Sequence, residues 1–242
     1  MKTFLYCIAC FIFSFYSSLN AESQNPDRYV FGSKVFSYIV SSEQQIEDPF
    51  KVRIDYNIPP NQKVQKITVV IKKAGSILGK VSFSAQGFGS KDITFDKIQG
   101  MDDFNLGGYV GKDFQSRSYY FNPFPFNFAL LKRKPKENPK NEFGGFYSIK
   151  LSQPLSFEKM DLIEVQNEKL ENAIPLRIFV KNSLGSMFAS SIATIKEEGR
   201  LFFYMKMPKK SSQSYHLVSY LGTDFSTKMD GVAPIDLELV DM

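Results

Sequence analysis

The chain has 242 residues, 43% hydrophobic and 23% charged, which excludes a disordered polymer and leaves room for one large or two small globular domains. Twenty-four Phe and 12 Tyr without a single Trp lean towards strands, because aromatic and β-branched side chains suit pleated, half-buried surfaces. Thirty basic against 25 acidic residues leave a formal net charge of +5, a mixed surface that singles out no polyanionic partner.

The first 21 residues read as an address rather than as fold. Lys2 supplies a positive start, Phe4 to Tyr16 is nearly unbroken apolar or aromatic sequence, and Ser17 to Ala21 is small and polar apart from Leu19. This is the order of a cleaved secretory signal, with the cut expected after Ala21. An uncleaved anchor would need about 20 apolar residues to span a bilayer, more than this run offers. A lipid on Cys10 would strand Phe11 to Tyr16 as an exposed apolar tail. The expected location is therefore secreted or periplasmic. Both cysteines, Cys7 and Cys10, fall inside the signal, so the mature chain has no disulfide, thiolate metal site or cysteine nucleophile.

Beyond a polar start at Glu22 to Asp27, strand patterns follow one another closely. Lys34 to Val40 is strand-like, and Phe50 to Ile58 alternates without a fault: Phe50, Val52, Ile54, Tyr56 and Ile58 on one face, Lys51, Arg53, Asp55 and Asn57 on the other. A period of two marks a half-buried strand. Pro59 and Pro60 end it, since proline cannot donate to a ladder. Val64 to Lys72 and Ile77 to Ala85 form a hairpin about Ala74-Gly75-Ser76, and Lys91 to Asp96 is a further strand. Gly100 to Asp113, rich in Gly, Asp and Asn, reads as a loop. In the second half the strands are Phe146 to Leu151, Leu176 to Lys181, Met187 to Ile195, Leu201 to Met207, Tyr215 to Leu221 and Ile235 to Leu239. Ser156 to Ala173 fits either a short helix capped by Ser156 or a strand at Leu162 to Val165, and a short helix or turn is the expectation. Val70 to Leu78 is echoed by Phe179 to Phe188 with one insertion, a faint sign of two similar halves.

One stretch stands apart. Tyr119 to Leu131 carries Phe121, Phe124, Phe126 and Phe128 with Pro123 and Pro125, and runs straight into the basic Lys132 to Lys140. The phenylalanines are expected in a core, because large aromatics usually bury. The other readings are a surface for another protein, since Tyr and Phe are enriched at interfaces, and contact with a membrane or sugar face. Tyr119, Tyr120 and Phe124, with Lys132, Arg133 and Lys134 of the basic tail, are the candidate binding residues.

Sites for chemistry are sparse. His216 is the single histidine and no Gly-x-Ser-x-Gly elbow accompanies it, so a triad has no support. Ser156-Phe157-Glu158-Lys159 matches the Ser-x-x-Lys pattern of acyl-transfer enzymes without their companion motifs. Gly75 to Lys80 misses a phosphate loop by one residue and lies in a hairpin. Asp102, Asp103 and Asn105 cluster oxygen ligands without calcium-loop spacing. No metal, cofactor or nucleic-acid partner is expected, although paired carboxylates for glycoside hydrolysis carry no sequence spacing by which to find them.

The resulting expectation is a mainly β, antiparallel sandwich protein of Ig-like type with at most one or two short helices. Its parts are a signal at 1–21, sandwich domains at 22–131 and 141–242, and a basic linker at 132–140. A non-enzymatic role in binding another envelope or extracellular protein fits best. A glycan or small-molecule binder, or a carboxylate-based hydrolase, is the alternative.

Overall fold

The computed structural model describes residues 25–59, 63–135 and 139–241. The expected signal at 1–21 and the middle of the basic segment lie outside these residues. The protein is mainly β: the described residues contain no α-helix, only two short 3-10 turns at Asp96–Ile98 and Phe128–Lys132.

Eight strands form in the first half: β1 (Arg28–Gly32), β2 (Phe36–Ser41), β3 (Phe50–Asn57), β4 (Gln65–Lys73), β5 (Ser76–Ala85), β6 (Phe88–Phe95), β7 (Asp103–Val110) and β8 (Tyr119–Asn127). The second half adds β9 (Lys140–Phe143), β10 (Tyr147–Leu151), β11 (Leu155–Ser156), β12 (Met160–Asn167), β13 (Ile174–Asn182), β14 (Met187–Ile195), β15 (Gly199–Lys206), β16 (Tyr215–Leu221), β17 (Asp230–Asp236) and β18 (Leu239–Val240).

A central eight-stranded sheet has the order β6-β3-β2-β1-β15-β12-β10-β9, and two four-stranded sheets have the orders β5-β4-β7-β8 and β14-β13-β16-β17. The two halves therefore share one plan. Replacing β1 to β8 by β9, β10, β12, β13, β14, β15, β16 and β17 converts one strand order into the other. The echo between Val70–Leu78 and Phe179–Phe188 falls on the matching hairpins β4–β5 and β13–β14, each with a register shift near its turn.

The halves are fused through their sheets. β1 runs parallel to β15, Arg28 opposite Leu201 and Phe31 opposite Tyr204. Side chains of these two strands alternate between two cores, as a period of two requires. Tyr29, Phe31, Phe202 and Tyr204 enter the core beneath β4, β7 and β8. Val30, Leu201, Phe203 and Met205 enter the core beneath β13, β14 and β16. A strand buried on both faces becomes continuously apolar, and Leu201 to Met205 is such a run.

Two elements depart from the sequence reading. Gly100 to Asp113 is not a loop, because β7 crosses it. Phe104, Leu106 and Val110 face the core, and Gly108 lets the strand come close: a Cβ there would lie 2.5 Å from the Thr68 carbonyl oxygen and 2.9 Å from the Phe36 ring. Gly108 is a packing requirement in a strand, not a turn signal. Ser156 caps no helix; the expected turn falls at Phe157 and Glu158, and the strand offered at Leu162 to Val165 forms as part of β12, with Leu162, Ile163 and Val165 buried.

Candidate functional site: a cleft beside the aromatic strand

The aromatic stretch forms β8, which among the described residues is an edge strand paired with β7 alone. Pro123 and Pro125 fit there because an edge can forgo an N–H. Phe121 and Phe126 are buried, while Asn122, Pro123 and Pro125 are exposed. Phe124 is half-buried, its ring 5.1 Å from Phe31 and 6.2 Å from Tyr204. Tyr119 and Tyr120 are also half-buried. The expectation that these phenylalanines serve a core thus holds for Phe121 and Phe126, while Phe124 is split between core and surface.

An open cleft of about 520 Å³ borders this strand. One wall is Tyr119 to Pro125 of β8; the other is Phe188, Ala189 and Ser190 of β14, with Gly32, Ser33, Glu158, Met160 and Tyr204 to Lys206 around them. It therefore lies where the two halves meet. Phe188 is 51% exposed, its ring edge-on to Tyr215 at 5.2 Å. Burial pushes the Tyr119 hydroxyl above its ordinary range, opposed in part by an interaction with Ser33. Burial likewise raises Tyr204, with the Arg133 guanidinium pulling the other way, and its hydroxyl donates to the Leu130 carbonyl at 2.7 Å. Both phenols stay neutral at ordinary pH and act as hydrogen-bond groups rather than as acids.

The cleft gathers Tyr119, Tyr120 and Phe124 but not the basic residues. The start of the supposed linker is strapped onto the central sheet instead. Tyr29 donates its hydroxyl to the Arg133 carbonyl at 3.0 Å, the Arg133 guanidinium lies 5.8 Å from the Tyr204 ring centre, and the Lys134 ammonium lies 4.7 Å from that of Phe202. Lys134 also pairs with Asp27, which holds Arg200 at 2.8 Å as well. Lys132 is exposed. Sequence reasoning missed Ser33, Phe188 and Lys206, which only the fold brings to the cleft.

A second missed signal is a repeated loop. Tyr109-Val110-Gly111-Lys112-Asp113-Phe114 and Tyr220-Leu221-Gly222-Thr223-Asp224-Phe225 occupy the same place between β7 and β8 and between β16 and β17. Gly111 and Gly222 have φ of 146° and 145°. Asp113 accepts from the Ser116 N–H at 2.8 Å, as Asp224 does from the Thr227 N–H at 2.9 Å. Phe114 stands edge-on to Tyr109 at 5.7 Å and Phe225 to Tyr220 at 5.5 Å. A cation covers each ring, Arg117 at 4.1 Å and Lys228 at 4.6 Å.

The remaining sequence candidates gain no chemistry from the fold. Ser156 is buried and Lys159 exposed, which separates the two members of the Ser-x-x-Lys pattern. Asp103 is held by Lys73 at 2.6 Å, with Asp102 at 3.9 Å from the same ammonium. His216 lies on β16 opposite Lys181 and Asp236. No cluster of three metal-ligating side chains occurs among the described residues. The chain matches no protein-family model and no curated protein.

Proposed function

We propose that the protein is an exported, non-enzymatic pair of Ig-like sandwiches that binds another envelope or extracellular protein, with the cleft between the halves receiving an extended segment of that partner. The observation that carries this reading is the free edge of β8 facing an aromatic cavity. An unpaired edge offers backbone hydrogen bonds to an added strand, and flanking pockets supply side-chain specificity. Tyr119, Tyr120, Phe124 and Phe188 give aromatic anchors of the kind that dominate interface energetics. Pro123 and Pro125 confine backbone pairing to the Tyr119 end. Among the described residues Glu158 is the single carboxylate lining the cleft, which favours binding over the two-carboxylate chemistry of glycoside hydrolysis.

A photo-crosslinking residue at position 120, in the full chain expressed in its native cells, is expected to trap one discrete partner, with the same residue at Val240 as the control. Changing Tyr119 and Phe124 together to Ala, with the crosslinking residue kept at position 120, should abolish the product while leaving the far-UV spectrum intact. Equal capture from both positions, or capture indifferent to the double change, would sink the assignment of the cleft. Sequencing of the mature N-terminus tests export, which requires a start after Ala21.

A further inference from the structure

The repeated plan makes each half a control for the other, and they differ on the outer faces of the four-stranded sheets. The pairings Val70–Gly107 and Thr68–Tyr109 in the first half correspond to Phe179–Val218 and Arg177–Tyr220 in the second. In the second half the Phe179 ring stacks on Tyr220, centroids 5.6 Å apart at 21°, and the Lys181 ammonium lies 5.4 Å from it. In the first half Tyr109 and Lys72 keep the Tyr220 and Lys181 places, but the ring between them is gone, since Val70 replaces Phe179 and Gly107 replaces Val218. A cavity of about 150 Å³ stands there, bordered by Val70, Gly107, Tyr109, Phe114, Lys72 and Lys80.

We infer that this hollow is a binding site for one planar aromatic ring carrying an acidic group. A cavity near 150 Å³ with largely apolar walls accommodates a benzene-sized ring, and the second half shows how the protein itself fills the equivalent space. The charge follows from the mouth. Lys72 and Lys80 border the hollow and make no ion pair among the described residues, whereas Lys73 next door is satisfied by Asp103. Where Lys80 stands the second half has Ser190, so the emptied pocket also carries an added cation. This site lies on the outer face of the sheet and is distinct from the cleft proposed for the partner, although Tyr120 and Pro123 border both.

The test is a two-dimensional NMR titration of the full mature chain with phenylacetate, cyclohexylacetate and benzylamine. Phenylacetate is expected to shift the Val70, Tyr109 and Phe114 resonances saturably. Benzylamine, with the charge reversed, should bind at least about threefold more weakly, the scale of an exposed ion pair. Val70→Phe, which copies Phe179, should remove binding while keeping the fold. Should that variant not fold, Gly107→Val serves in its place, because a Cβ at Gly107 meets nothing closer than 3.5 Å. Acetyl-Phe-Asp-amide, run beside phenylacetate, separates a partner's side chain from a free acid as the source of the ring. No saturable shift from either acid, equal binding of cyclohexylacetate or benzylamine, or undiminished binding in the filled variant would overturn the inference.

Discussion

β6 and β15 hold the same place in the two halves, yet only one of them is apolar on both faces. Their registers align Asp92 and Thr94 with Phe202 and Tyr204. On β6 those positions are exposed; on β15 they are buried, because β1 and the core of the first half cover them. The inward positions, Ile93 and Phe95 against Phe203 and Met205, are apolar in both. Position in the plan fixes the inner face of a strand, and its neighbour fixes the outer one. The charges on β6 have a second effect: they blunt a free sheet edge against unwanted pairing.

The largest way to break this comparison is to remove the seam. Phe31 is fully buried with its ring 5.0 Å from Tyr204 and 5.4 Å from Phe126. Phe31→Ala is expected to cost about 3–5 kcal/mol, the range for a buried aromatic cut to Ala. Urea unfolding should show one transition before and after, and two separate transitions in the parent would mean that the halves fold independently. Next comes Asp55, whose carboxylate accepts from the Thr194 N–H of β14 and from Arg53 at 2.7 Å. Asp55→Ala should cost about 2 kcal/mol through the orphaned N–H. Its counterpart Gln166 is exposed, and Gln166→Ala should stay within about 0.5 kcal/mol of the parent.

The repeated loops allow a test of equivalence. A Cβ at Gly111 would stand 2.8 Å from the Arg117 Cα, and one at Gly222 would stand 3.0 Å from the Lys228 Cα. Both glycines hold left-handed φ, so Gly111→Ala and Gly222→Ala should each cost about 1–3 kcal/mol. A thermal-unfolding difference between them larger than that range would deny the likeness. The smallest effect is electrostatic. Hydrogen bonds from the Ser226 and Thr227 side chains, then the Thr227 N–H, hold Asp224 down at about 2. Those from the Ser116 N–H and hydroxyl lower Asp113. Carboxylates depressed in the folded state stabilise it fully above their ordinary pKa of about 4, and that stability is lost as pH falls towards 2. Asp224→Asn should flatten the acid limb of the stability profile over that window, and Asp113→Asn should flatten it on the acid side of the ordinary carboxylate range.

Alternation made most of the sheets legible: β3, the β4–β5 and β13–β14 hairpins and β16 follow directly from residues such as Val52, Ile54, Ile178 and Val180. What escaped has physical causes. Strand β1 is five residues long and its Tyr29, Val30 and Phe31 are all buried, so no alternation announces it, and its parallel partner lies in the other half. Strand β7 was hidden by the Gly107-Gly108 pair, of which Gly108 serves close packing. Of the candidate site, the Tyr119, Tyr120 and Phe124 wall could be read from the local aromatic run. Phe188 and Ser33 could not, because nothing local ties them to that run. The repeated Tyr-x-Gly-x-Asp-Phe loop was present in the sequence, masked by its different flanks.

The parallel seam also sets an order of events in time. Because Arg28 must meet Leu201, the earliest of the described strands waits for one near the end before its second edge is satisfied. In a chain emerging from its N-terminus, β2 can cover one side of β1 early, while the other side keeps an apolar edge open until β15 arrives. Contacts this distant in sequence are formed slowly, and unpaired strand edges invite association. Until β15 pairs with it, β1 offers an open edge of the kind another strand can occupy.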